Sequence, residues 1–117
     1  MLDVTFYRDG RKRPSSIVAL GHARSGTFGK DVVCSAVSAI LLAARLGLEE
    51  YAGVDLQVTQ RSGELRLHWP PAVRDDAAVR AIAATAELSV RRIARDHPAH
   101  VRVHRRLQRP RRPGVES

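Results

Sequence analysis

The chain has 117 residues, 44% of them hydrophobic, a formal net charge of +8 and a single cysteine. That length supports one core of two packed layers and excludes two independent domains, while one cysteine excludes an internal disulfide. The longest stretch without charge, residues 32–44, falls short of the roughly 20 apolar residues that cross a bilayer. With no signal pattern at its start, the chain is expected to be soluble and cytoplasmic, with no membrane partner.

Leu2, Val4 and Phe6 alternate with Asp3, Thr5 and Tyr7, the period of a strand with one buried face. Asp9-Gly10 predicts a turn, residues 16–20 a second strand, and the glycine-punctuated residues 23–30 a loop. Asp31 is a candidate N-cap for a helix carrying Val33, Val37, Ile40, Leu41, Ala44 and Leu48, with Gly47 at its end. Val54, Leu56 and Val58, then Leu65, Leu67 and Trp69, alternate about the Ser62-Gly63 turn and predict a hairpin. Asp75 or Asp76 caps a second helix, on which Val79, Ile82, Ala83, Ala86, Val90, Ile93 and Ala94 share a face. His97-Pro98 ends it, and residues 101–104 form a short last strand.

The order β-β-α-β-β-α-β predicts an α+β fold, an antiparallel sheet of four to five strands covered by two main helices. Residues 1–107 are expected to form the domain, and residues 108–117, basic and without an apolar pattern, a disordered tail. Tyr51 and Trp69 are read as packing residues and His68 as a surface residue.

Charge is concentrated late in the chain, where Arg102, Arg105, Arg106, Arg109, Arg111 and Arg112 face one acid, Glu116. Such a cluster suits weak contact with RNA or the ribosome, and a non-catalytic binding module built on it is the alternative to an enzyme. A metal site drawing on His97, His100, His104 and Cys34 is a weaker alternative, because Pro98 interrupts any helical ligand spacing.

The lone thiol lies in "GHARSGTFGKDVVCSAVSAI", residues 21–40. If Asp31 is the cap, Cys34 falls in the first helical turn, where free amide hydrogens favour a thiolate. His22 lies twelve residues earlier, and Gly21, Gly26 and Gly29 give the intervening chain freedom to bring it back and to close on an extended peptide. Asp31, Cys34 and Ser38 form a polar stripe at spacings of three and four on an otherwise apolar helix. Spacing alone leaves a buried core cysteine as the more common arrangement.

This segment resembles the signature of the bacterial ribosomal-processing cysteine protease family (Prp, or YsxB-like): Gly-His, a glycine-bearing loop, then Gly-x-Asp-[IV]-Val-Cys-[AS]-Ala-Val-Ser. "VTFYRDG", "LGLEEYAGV", "LQVTQRSGELRLHWP" and "HPAHVRVH" extend the resemblance over residues 1–107. The resemblance implies that Cys34 is the nucleophile and His22 its base, with Asp31 and Ser38 as supporting residues and no cofactor or metal. It further implies a homodimer that removes an N-terminal extension from a large-subunit ribosomal protein precursor. The basic tail and the composition of the loop "ARSGTF" depart from the family pattern.

Overall fold

The structure, a computed structural model, describes residues 1–21 and 28–108, with the side chains of 28–31 excepted. Its elements are β1 (Leu2–Arg8), β2 (Pro14–Leu20), α1 (Phe28–Leu46), β3 (Gln57–Arg61), β4 (Glu64–His68), α2 (Ala77–Asp96) and β5 (Val101–Leu107). They form an α+β fold whose single five-stranded sheet has the order β3-β4-β2-β1-β5.

The sheet is mixed, which corrects the antiparallel expectation. β1 and β2, β2 and β4, and β3 and β4 pair antiparallel, whereas β5 runs parallel to β1. The cause lies in α2, which returns the chain to the start of β1. There Leu2 N–H donates to the His100 carbonyl at 3.0 Å, and Val101 sits opposite Leu2. The outer edge of β1 is open, so β5 leaves in the same direction.

Alternation decides which side faces the helices. Leu2, Val4 and Phe6 of β1, Ile17 and Ala19 of β2, and Leu67 with Trp69 after β4 join Val37, Leu41, Val79, Ala83 and Val90 in one core. Trp69 is fully buried, and its indole N–H donates to the Pro14 carbonyl at 2.8 Å, which satisfies the polar atom its burial would otherwise strand. The alternate residues, among them Thr5, Tyr7, Val18 and Arg66, face away from the helices. Tyr51 does not pack as expected: it is 83% exposed at the end of a wider helical turn, Gly47–Tyr51, that continues from α1.

The two helices begin differently. Asp76 caps α2, its carboxylate accepting from the Ala78 and Val79 amides at 2.8 and 3.2 Å. Asp31 does not occupy the corresponding place in α1, because the helix starts three residues earlier at Phe28 and takes Asp31 and Gly29 into its first turns. Phe28 and Lys30 are ordinary helix formers, so the capping chemistry of Asp31 does not decide the boundary. By length and composition Val32–Tyr51 is apolar enough to cross a membrane, with mean hydropathy 1.8; here Val33, Cys34, Val37, Leu41, Ala44 and Leu48 are committed to the core.

The sheet's bonding runs one residue beyond Leu107. Gln108 N–H donates to the Arg8 carbonyl at 2.6 Å, and its side-chain oxygen accepts from Ser15 Oγ at 2.5 Å. The remainder of the expected tail lies outside the described residues.

Candidate active site

Cys34 is the seventh residue of α1, which puts it past the four amides a helix leaves free at its start. The expected first-turn placement is thereby corrected: amide donation at the helix end is not what acts on this thiol. Its side chain is 9% exposed and belongs to the core, next to Val33 and Val37. One helical turn later Ser38 emerges at the surface.

Ser38 lines a groove of about 160 Å³ between α1 and the helix-facing side of the sheet. Val37, Leu41 and Leu42 accompany it on the helix, and Leu2, Ala19 and Leu65 form the opposite wall. The mouth is polar, made by Gln60, Arg61 and Glu64 at the tip of the β3–β4 hairpin together with Gly21 and Gly63. Arg61 pairs with Glu64 at 2.7 Å, and Arg66 bonds the same carboxylate; the Arg66 hydrogen bond is the chief influence holding Glu64 below its ordinary pKa.

Gly21 fixes where the chain leaves β2. Its φ of +129° is a region that side-chain-bearing residues avoid, and a Cβ there would collide with the Met1 carbonyl oxygen. Its N–H donates to the Gly63 carbonyl at 2.9 Å, which ties the end of β2 to the hairpin tip. The backbone immediately before His22 and the helix face immediately after Cys34 therefore stand on one groove.

His22, Gly26 and the side chain of Asp31 lie outside the described residues. Of the expected site residues, the structure brings Gly21 and Ser38 to one groove, leaves Cys34 in the core one helical turn before Ser38 and outside the groove's lining, and puts Gly29 in the helix and not in a loop. The hairpin tip, Gln60 to Glu64, carried no motif beyond its turn. Its approach to α1 depends on the register that sets Leu20 opposite Glu64, which periodicity does not encode.

The other candidate clusters disperse. His104 Nε2 lies 3.0 Å from Asp3 Oδ1, and this contact is the main cause that lowers the Asp3 pKa. That places His104 on the face of the sheet away from α1 and Cys34. Among the described residues no group of three His, Cys, Asp or Glu side chains is arranged to hold a metal ion. Arg105 turns toward the helices and binds Glu87 of α2 at 2.6 Å, and Arg102 pairs with Asp3 at 3.0 Å, so only Arg106 of the three stands outside an ion pair shown here.

Comparison with known structures agrees with this architecture. The chain is 28% identical to SMU.848 from Streptococcus mutans, with a TM-score of 0.80 over 92% of this chain and 96% of that one. It shares its fold with an essential ribosomal processing protease Prp from S. aureus, solved in complex with a substrate peptide, at 18% identity and a TM-score of 0.80 over 90% of this chain and 99% of that one. A hypothetical protein from Staphylococcus aureus matches at 12% identity and a TM-score of 0.69, over 90% and 99% of the two chains. No curated protein matches the chain. The model of the family described as cysteine protease Prp matches residues 1–102, a span that includes both His22 and Cys34, and the chain belongs to that family of cysteine proteases.

Proposed function

We propose that this protease removes a short N-terminal extension from a large-subunit ribosomal protein precursor, with Cys34 as nucleophile and His22 as its base. The observation that carries this reading is the family match across residues 1–102 together with the Gly-His…Asp-Val-Val-Cys block at its fixed spacing. The S. aureus relative, a ribosomal processing protease bound to a substrate peptide, supports the substrate class.

In this mechanism the Cys34 thiolate attacks the scissile carbonyl and forms an acyl-enzyme. His22 protonates the leaving amine and then takes a proton from the attacking water. Because Cys34 sits beyond the free amides of α1, activation of its thiol falls to His22. Ser38, on the groove wall one turn away, is assigned to holding the peptide and not to proton transfer. Asp31 is assigned to orienting His22, and residues 22–27 with Gly26 to contacting the substrate.

The enzyme is proposed to act in the cytoplasm as a homodimer. Supporting a dimer is the outer face of α1, where Val32, Leu42 and Leu46 are exposed and residues 32–44 carry no charge. Incubation with the same organism's ribosomal protein precursor, followed by mass spectrometry, tests the substrate. Trimming of the N-terminus by wild type and none by Cys34→Ala is expected. An untrimmed precursor with wild-type enzyme overturns the substrate, and trimming by Cys34→Ala overturns the nucleophile.

A further inference from the structure

β3 is the last strand of the sheet on its side, so its outer edge meets no described strand. Which of its backbone groups lie on that edge follows from bonds farther in. Gly21 N–H donates to the Gly63 carbonyl at 2.9 Å and Trp69 N–H to the Ser15 carbonyl at 3.1 Å, so the odd-numbered residues along β4 bond toward β2. Glu64, Arg66 and His68 therefore bond toward β3, where they stand opposite Arg61, Thr59 and Gln57. This leaves the N–H and C=O groups of Val58 and Gln60 directed outward, and no described backbone group bonds them there.

The edge lacks the devices that keep an edge strand from pairing. The segment Gln57–Arg61 has no proline and no lysine, its register with β4 runs without a bulge, and its one cation, Arg61, is held by Glu64 at 2.7 Å. The edge also runs into the groove beside Ser38, because Gln60 and Arg61 line that groove. Val58 and Gln60 stand opposite Leu67 and Leu65, whose side chains face the helices. A chain laid antiparallel against Val58 and Gln60 would thus carry alternate side chains on the groove's side of the sheet. An extended peptide meets both demands: its backbone pairs with the edge whatever its sequence, and its side chains are selected in the groove. A second copy of the chain is the poorer occupant, since an edge roughly 17 Å long offers far less than the about 800 Å² per partner of a stable interface.

We propose that the substrate peptide binds as a sixth strand on the outer edge of β3, bonded to the backbone of Val58 and Gln60, and continues into the groove beside Ser38. The proposal rests on the protease reading and adds the means by which the enzyme holds its peptide.

The test uses the full chain carrying Cys34→Ala, which keeps the peptide uncut, and a synthetic peptide covering the N-terminal extension and cleavage region of the same organism's ribosomal protein precursor. Cleavage of that peptide by wild type is measured alongside. Amide hydrogen exchange, followed by NMR, should slow at Val58 and Gln60 by at least about tenfold on saturation with peptide, and should change less at Thr59, whose amide is already bonded to β4. Val58→Pro removes one outward N–H and no bond to β4, and should raise KM by about fivefold with kcat unchanged. Methylating either of two alternate peptide amides should have the same effect, and methylating the amide between them should not. Exchange at Val58 and Gln60 that is indifferent to a peptide wild type cuts overturns this inference and leaves the protease reading standing. A peptide that wild type leaves intact overturns the substrate, and this inference with it. Protection present without peptide and growing with protein concentration means pairing between copies of the chain, and overturns it too.

Discussion

The two ends of β2 are built for different purposes. At the Pro14 end a connected set of charges is tied down: Asp9 accepts from the Arg11 and Arg13 amides at 2.9 and 3.0 Å, Arg13 reaches Asp75 at 2.9 Å, and Arg74 is clamped by Trp69. At the Leu20 end a positive-φ glycine, a hairpin tip and a helix face meet around a groove, and the nearest thiol makes no ion pair shown here. Rigidity is thus concentrated one strand length, about 20 Å, away from that groove. Substitutions at one end should cost stability, and at the other activity.

The strongest test of that division is at the activity end. Cys34→Ala and His22→Ala should each lower peptide cleavage by at least about 10³-fold while the melting temperature moves by only a few degrees, and the double variant should be barely worse than either single one. Additive losses in kcat/KM would show that the two residues do not act as a unit.

At the opposite end the expected loss is in folding. Asp9→Ala strands the buried Arg74 guanidinium and should cost about 2–3 kcal/mol in denaturant unfolding, with cleavage by the remaining folded enzyme unchanged. The same carboxylate supplies a pH signature. Burial works against its charge, but the Arg13 and Arg11 amides and the Arg74 and Arg13 guanidinium groups prevail and hold its pKa down at about 2. A group lowered in the folded state stabilises above its unfolded value near 4 and loses that contribution as pH falls toward 2. The gap in melting temperature between wild type and Asp9→Ala should accordingly narrow from pH 5 to pH 2; a constant gap would assign the effect to packing.

Gly21→Ala blurs the division on purpose, since this one residue both holds the end of β2 in place and lines the groove. Forcing a side chain into φ +129° against the Met1 carbonyl should cost about 1–3 kcal/mol. Cleavage should fall further than that loss explains, because the displaced backbone leads directly to His22. Equal losses in stability and activity would deny Gly21 a positioning role.

The smallest effects concern the C-terminus. Truncation after Gln108 should leave unfolding free energy within about 0.5 kcal/mol, whereas truncation after Leu107 removes the bonds to Arg8 and Ser15 and should cost about 1 kcal/mol.

Much of this was legible in the sequence, where the signal was local. Alternation along residues 2–7 and the spacing of Val79, Ala83, Ala86 and Val90 reported one buried face directly, and those faces form the core. The parallel course of β5 was not legible, because period-two alternation is identical in either strand direction and the partner of Val101 lies about a hundred residues away. Asp31 misled for a related reason: a residue able to cap a helix announces a boundary only when the residues before it cannot themselves be helical. The Gly-His and Cys blocks carried the resemblance to the family, whose model spans both of them. The far wall of the groove, Gln60 to Glu64, follows from strand register and left no trace in composition.

The contact between Gly21 and the first residue has a use at the bench. Since the Met1 carbonyl lies against Gly21 and Leu2 lines the groove, any sequence fused ahead of Met1 begins at the groove's mouth. A tethered peptide placed there is presented at millimolar effective concentration. A precursor sequence joined in this way converts a weak bimolecular encounter into a unimolecular one, so self-trimming of the fusion, independent of protein concentration, offers a sensitive readout of cleavage. An ordinary purification tag belongs at the opposite terminus.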